Sequence, residues 1–103
     1  MTESKYAKFT EEQFAEYKTK LHSKVHWLLV YKEENYAEDV LLNYFNSVMS
    51  YIGSLNEVFE YNPLVIDLLV TLQVSLDELN KQDFCFKVYR KNILEAHNII
   101  DRL

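Results

Sequence analysis

LVIDLLVTLQVSLDEL, residues 64–79, is the stretch that decides the fold. Leu64, Val65, Ile66, Leu68, Leu69, Val70, Leu72, Val74, Leu76 and Leu79 leave only Asp67, Thr71, Gln73, Ser75, Asp77 and Glu78 to face water. The first half is apolar on every side rather than along one stripe. In a chain of 103 residues such a helix has to be covered by other helices. Residues 64–79 are therefore expected to form the buried element around which the rest is arranged.

Working outward, Asn62-Pro63 marks the start of that helix, with Asn as N-cap and Pro at the first helical position, where its missing N–H is no loss. Upstream, Leu41, Phe45, Val48, Ile52, Leu55 and Phe59 repeat at alternating spacings of 4 and 3, which predicts a helix over 36–61 running through Gly53. Asn35 is its expected cap. Further back, Phe14, Tyr17, Leu21, Val25 and Leu28 predict a helix over 11–32, introduced by Thr10 and Gln13 as a capping box, with Phe9 and Phe14 as a hydrophobic staple. Downstream, Asp83 is expected to cap a last helix over 84–103 carrying Phe86, Tyr89, Ile93, Ala96, Ile100 and Leu103. One Gly and one Pro leave little turn chemistry for hairpins. The expectation is an all-α fold, an antiparallel four-helix bundle over 10–103 preceded by a flexible lead over 1–9. The all-round apolar third helix makes an irregular orthogonal helical array the competing arrangement.

The charge balance narrows function. A net charge of −5 argues against a general nucleic-acid binder, whose affinity rests on neutralising phosphates. Residues 33–62 carry six acidic groups and no basic one, an acidic surface suited to a basic partner. MTESKYAKF lacks the apolar segment of a signal peptide, and no charge-free run reaches membrane length, so an intracellular, cytoplasmic protein is expected. Cys85 is the single cysteine, flanked by Phe84 and Phe86, and is expected to be an inert buried thiol. The Lys, Asn and Tyr bias suggests an AT-rich genome, as in a low-GC bacterium, its phages or mobile elements.

Three groups of residues could carry function. On the second helix, Asn43, Asn46, Ser47, Ser50, Gly53 and Ser54 form a stripe of small uncharged groups beside Tyr44 and Tyr51. Small side chains allow close approach without desolvating charge, so Tyr44, Ser47, Tyr51 and Ser54 are candidate partner contacts, with Glu38, Asp39 and Glu57 steering a basic partner. His22 and His26, four apart on one helix, could offer two metal ligands, with His97 as a third if the first and last helices are neighbours. No Glu-x-x-His pair exists, and no cofactor is expected.

Arg90 and His97, in YRKNILEAHNII, lie nearly two helical turns apart on one face. This segment resembles the R-x4–6-H motif of HEPN domains, helical bundles whose dimers pair two such motifs to cleave RNA. The resemblance implies that Arg90 stabilises the phosphate and His97 polarises or deprotonates the attacking 2′-hydroxyl, with Asn92 as an auxiliary polar residue. It covers eight residues. There is no Gly-rich phosphate loop, no CxxC and no G-x-S-x-G. The reading is thus a non-enzymatic protein-interaction module of adaptor, immunity or inhibitor type, docking a protein partner or a second copy of itself. The alternative is a HEPN-like ribonuclease or toxin using Arg90 and His97.

Overall fold

A computed structural model describes residues 2–3, 8–9 and 11–103. Four helices follow one another: α1 (Glu11–Glu33), α2 (Glu38–Ser54), α3 (Pro63–Leu79) and α4 (Phe86–Arg102). The fold is all-α, as the periodicity indicates. Ahead of the helices, β1 (Thr2–Glu3) and β2 (Lys8–Phe9) pair antiparallel, a minimal ladder that the scarcity of turn residues did not lead us to expect. Thr10 and the side chain of Phe9 lie outside the described residues, so the capping box and the staple are not placed.

Each helix packs against the next, and α4 closes back onto α1. Contacts ascend α1 while they descend its neighbours. Against α4 they run from Lys18 with Asp101, through His22 with His97, to Leu28 with Tyr89. Against α2 and the turn after it they run from Phe14 with Phe59, through Lys24 with Tyr51, to Tyr31 with Tyr44. α1 is therefore antiparallel to both. Leu21, Val25, Leu28, Phe45, Val48, Ile52, Val65, Leu68, Leu72, Tyr89, Ile93 and Ile100 form the sealed core. Tyr89 is the one large polar ring among them, and its hydroxyl donates to the Leu28 carbonyl at 2.8 Å. That bond satisfies a group otherwise costly to bury, and burial pushes the phenol far above its ordinary pKa.

The third helix departs from expectation. Asn62 caps it as predicted, accepting from the Leu64 N–H at 3.0 Å, with Pro63 following. Yet α3 is not covered all round. Val65, Leu68, Leu72, Ser75 and Glu78 face the interior, whereas Ile66, Val70 and Val74 are 52 %, 57 % and 48 % exposed. Four helices in a ring give each helix an outer face, and among the described residues no further helix remains to cover this one. The polar assignment shifts with it: Ser75 and Glu78, expected in water, are buried, Ser75 donating back to the Thr71 carbonyl at 3.1 Å.

Glu78 is held for a reason. One carboxylate oxygen accepts from the Cys85 N–H at 3.1 Å and the other meets Lys81 Nζ at 3.3 Å. Asp83 therefore does not cap α4. Cys85 occupies the N-cap position without a side-chain bond, and Glu78 reaches across the connection to satisfy its N–H, as the acidic member of a capping box does within one helix. Cys85, at this N-cap position with no side-chain bond, is exposed rather than buried.

Two other boundaries move. Asn35 does not start α2; with φ 56° it closes α1, where Tyr36 N–H donates to the Tyr31 carbonyl and Asn35 N–H to that of Lys32. This is a Schellman stop, and Asn tolerates the left-handed conformation it needs. Ala37 then precedes α2 with no side-chain cap. At the other end α2 stops at Ser54, well short of 61. Residues 55–61 are turns, ended by a second Schellman pair, Tyr61 N–H to the Asn56 carbonyl and Glu60 N–H to that of Glu57, with Glu60 and Tyr61 at φ 54° and 58°. The 3–4 pattern ran past the helix because Leu55 and Phe59 are buried from the turn itself, Phe59 against Phe14 and Tyr17.

Candidate functional site

Two surfaces gather chemistry. The first is the α2–α3 half. All 11 Lys and Arg residues lie outside residues 33–80, which hold nine of the 16 acidic ones. Because α2 and α3 are adjacent, the bundle has one half with no basic residue and another, α1 and α4, where cations and anions are mixed. On α3 the positions 66, 70 and 74 recur every fourth residue, so Ile66, Val70 and Val74 form one stripe about 12 Å long, opposite Leu68 and Leu72. Asp67, Gln73 and Asp77 edge it, all exposed, with Gln73 bonded to Asp77 at 3.0 Å. Asp67 has no cationic partner among the described residues. Sequence reasoning missed this stripe because it counted apolar residues without setting their angles; the fourfold spacing was the available signal.

The expected contact residues of α2 divide. Tyr44 and Tyr51 lean toward α1: Tyr44 donates to the Lys24 carbonyl at 3.2 Å and packs on Tyr31, and Lys24 Nζ lies 4.8 Å over the Tyr51 ring. Burial raises both phenol pKa values, helped by Tyr31 beside Tyr44 and Tyr17 beside Tyr51. Ser47 and Ser54 are exposed and donate to the Tyr44 and Tyr51 carbonyls of their own helix, both at 2.6 Å. Asn43, Asn46, Ser50 and Gly53 are exposed too, and a Cβ on Gly53 meets nothing within 4 Å, so packing does not require a glycine there. Glu38 and Asp39 are exposed in the first turn of α2, and Glu57 accepts from the Tyr61 hydroxyl at 3.3 Å. A separate aromatic group closes the α1–α2 end, where Tyr31 contacts Trp27, Tyr36 and Tyr44, with Trp27, Tyr36 and Val40 partly exposed.

The second surface is the α1–α4 seam, which brings His22 and His97 together. Their Nδ1 atoms are 2.7 Å apart and the ring planes differ by 12°. A centroid separation of 5.0 Å equals the N···N distance plus about one ring width, so the rings meet edge to edge in a common plane rather than face to face. His22 Nε2 reaches Asp101 Oδ1 at 2.8 Å, and Lys18 Nζ donates to the Asp101 carbonyl at 3.1 Å. Asp101, one turn beyond His97, is the member that sequence reasoning did not name. Burial, then the neighbouring His22 and His26, push the His97 imidazole below its ordinary pKa, against an opposite pull from Asp101.

His26 does not join the pair; its ring stands edge-on to Trp27 at 6.3 Å. Two imidazoles on one tetrahedral zinc stand roughly 3.3 Å apart, so His22 and His97 are set at hydrogen-bond spacing. Among the described residues no three His, Cys, Asp or Glu side chains are gathered to hold a metal. Arg90 is exposed near the same edge of α4 as His97 and has no ion-pair partner among the described residues. No hydrogen bond joins it to His97, whose Nδ1 is committed to His22.

Among the described residues no helix is long and apolar enough to cross a membrane. No family model matches the chain, and comparisons with curated proteins and with solved structures find no significant match. The HEPN resemblance therefore rests on its eight residues alone.

Proposed function

We propose that this chain is a protein-interaction module that acts by docking, in the manner of a small adaptor, immunity or inhibitor protein. One observation carries the reading: the most apolar helix of the bundle turns Ile66, Val70 and Val74 outward, where no other helix covers them. Single exposed apolar residues are ordinary, but an aligned stripe rimmed by polar groups is the form of an interaction site. The same half has no cation, which fits a partner whose apolar ridge is flanked by Lys or Arg. The uncharged face of α2 extends that surface, with Ser47 and Ser54 as contacts at its margin and Glu38, Asp39 and Glu57 as steering charges.

Affinity capture from the native host, run in parallel with the wild type, Val70→Glu and Ser47→Arg/Ser54→Arg, tests this. The expected result is a partner retained by the wild type and lost by Val70→Glu, with helicity unchanged by circular dichroism. Loss or weakening with the double serine variant extends the surface to α2. Equal recovery by all three overturns the proposal.

A further inference from the structure

The seam between α1 and α4 is closed by a hydrogen-bond chain whose proton count is fixed by geometry. Asp101 accepts from His22 Nε2–H, which leaves Nδ1 of a neutral His22 as the acceptor for Nδ1–H of His97. Of the two ring nitrogens then without a proton, His22 Nδ1 is occupied as the acceptor and only His97 Nε2 lies outside the chain. One added proton fits there, because an imidazolium still donates to a neutral imidazole and does so more strongly. A second would place two N–H groups against each other at 2.7 Å. The closed chain holds protons on at most three of its four ring nitrogens.

We propose that Asp101, His22 and His97 form a proton-operated clasp between α1 and α4, closed with no more than one added proton and opened by the second. The groups beside it do not remove the conflict. From α1, Lys18 lies on the Asp101 carbonyl and the electrostatic effect of His26 on His97 opposes its protonation. From α4, Asp101 supplies the only carboxylate hydrogen-bonded to the pair among the described residues, and it bonds the far nitrogen of His22, away from the facing Nδ1 atoms. Both imidazoles are partly buried, so water does not fully screen them. Behind the pair lie Leu21, Val25, Ile93 and Ala96, so opening this seam wets one edge of the core.

The sign follows from proton linkage. The unfolded chain protonates both histidines near their ordinary pKa, whereas the closed seam accepts one, so stability falls as pH drops below that value. One withheld proton lowers the folded-to-unfolded ratio by up to about 30-fold between pH 7.5 and 5.0. The test is urea unfolding at both pH values for the wild type, His97→Asn and His26→Asn. Asn presents an amide where Nδ1 stood, able to donate or accept without titrating. The expected result is that His97→Asn removes most of this pH-dependent loss while His26→Asn retains it. An unchanged pH dependence in His97→Asn overturns the clasp. If that variant does not fold, imidazole 15N shifts of the wild type decide. At most one of His22 and His97 is imidazolium while the Tyr89 to Leu28 contact persists, and finding both charged in the closed bundle refutes the proposal.

Discussion

Replacing Val70 by Ala and, separately, Leu68 by Ala separates the two faces of α3. Leu68 is fully buried, and Val70 is 57 % exposed. Leu68→Ala removes core methyl groups and leaves a cavity, a loss of about 2–5 kcal/mol. A fully buried Val side chain contributes about 1.5–3 kcal/mol, and Val70 buries less than half of its surface and loses only part of its side chain. The higher helix propensity of Ala returns up to about 0.5 kcal/mol, so Val70→Ala should change stability by less than about 0.5 kcal/mol. Urea unfolding resolves the difference: with a slope of about 1 kcal/mol per molar, Leu68→Ala lowers the midpoint by roughly 2 M or more, and Val70→Ala leaves it nearly in place. A loss of 2 kcal/mol or more in Val70→Ala would refute the outward orientation of this stripe.

Two further outcomes are expected. Glu78→Ala leaves the Cys85 N–H unmatched at the start of α4 and should cost about 1–2 kcal/mol by urea unfolding. Glu78→Gln keeps an acceptor for that N–H and should lose less than half as much, whereas equal losses would show that the contact with Lys81 is the larger contribution. For Arg90 and His97, the wild type and the Arg90→Ala/His97→Ala variant should be equally inert toward a broad RNA panel. Cleavage by the wild type that the variant lacks would favour the HEPN-like ribonuclease.

What could be read from the sequence was what depends on neighbours along the chain. Asn62-Pro63 specifies its helix start through one side chain and one missing N–H, and the start of α3 is where it was expected. The core stripes were legible for the same reason, since Phe45, Val48 and Ile52 mark one face whatever packs on it. Boundaries that depend on tertiary packing were not. Leu55 and Phe59 keep the helical rhythm while sitting in a turn, because their burial is decided by Phe14 and Tyr17 far upstream. Glu78 shares the inner face with Leu68, Leu72 and Ser75, yet only the nearby Cys85 N–H and Lys81 make a carboxylate acceptable there.

The candidate sites follow the same division. Proximity of His22 to His97 was conditional on α1 and α4 being neighbours, and the closed ring of helices meets that condition. The role of Asp101 needed three-dimensional placement. Apolarity alone made residues 64–79 look central. The number of helices available to cover them, four in a ring, is what leaves Ile66, Val70 and Val74 on the surface.

Site-specific photo-crosslinking in the native host tests the docking face most directly. With the crosslinker at position 70 on α3, a discrete protein adduct is expected, and with it at position 27, in the exposed aromatic group of α1, none. Adducts from position 27 and none from position 70 would contradict the proposed surface and move the interaction to the α1–α2 end.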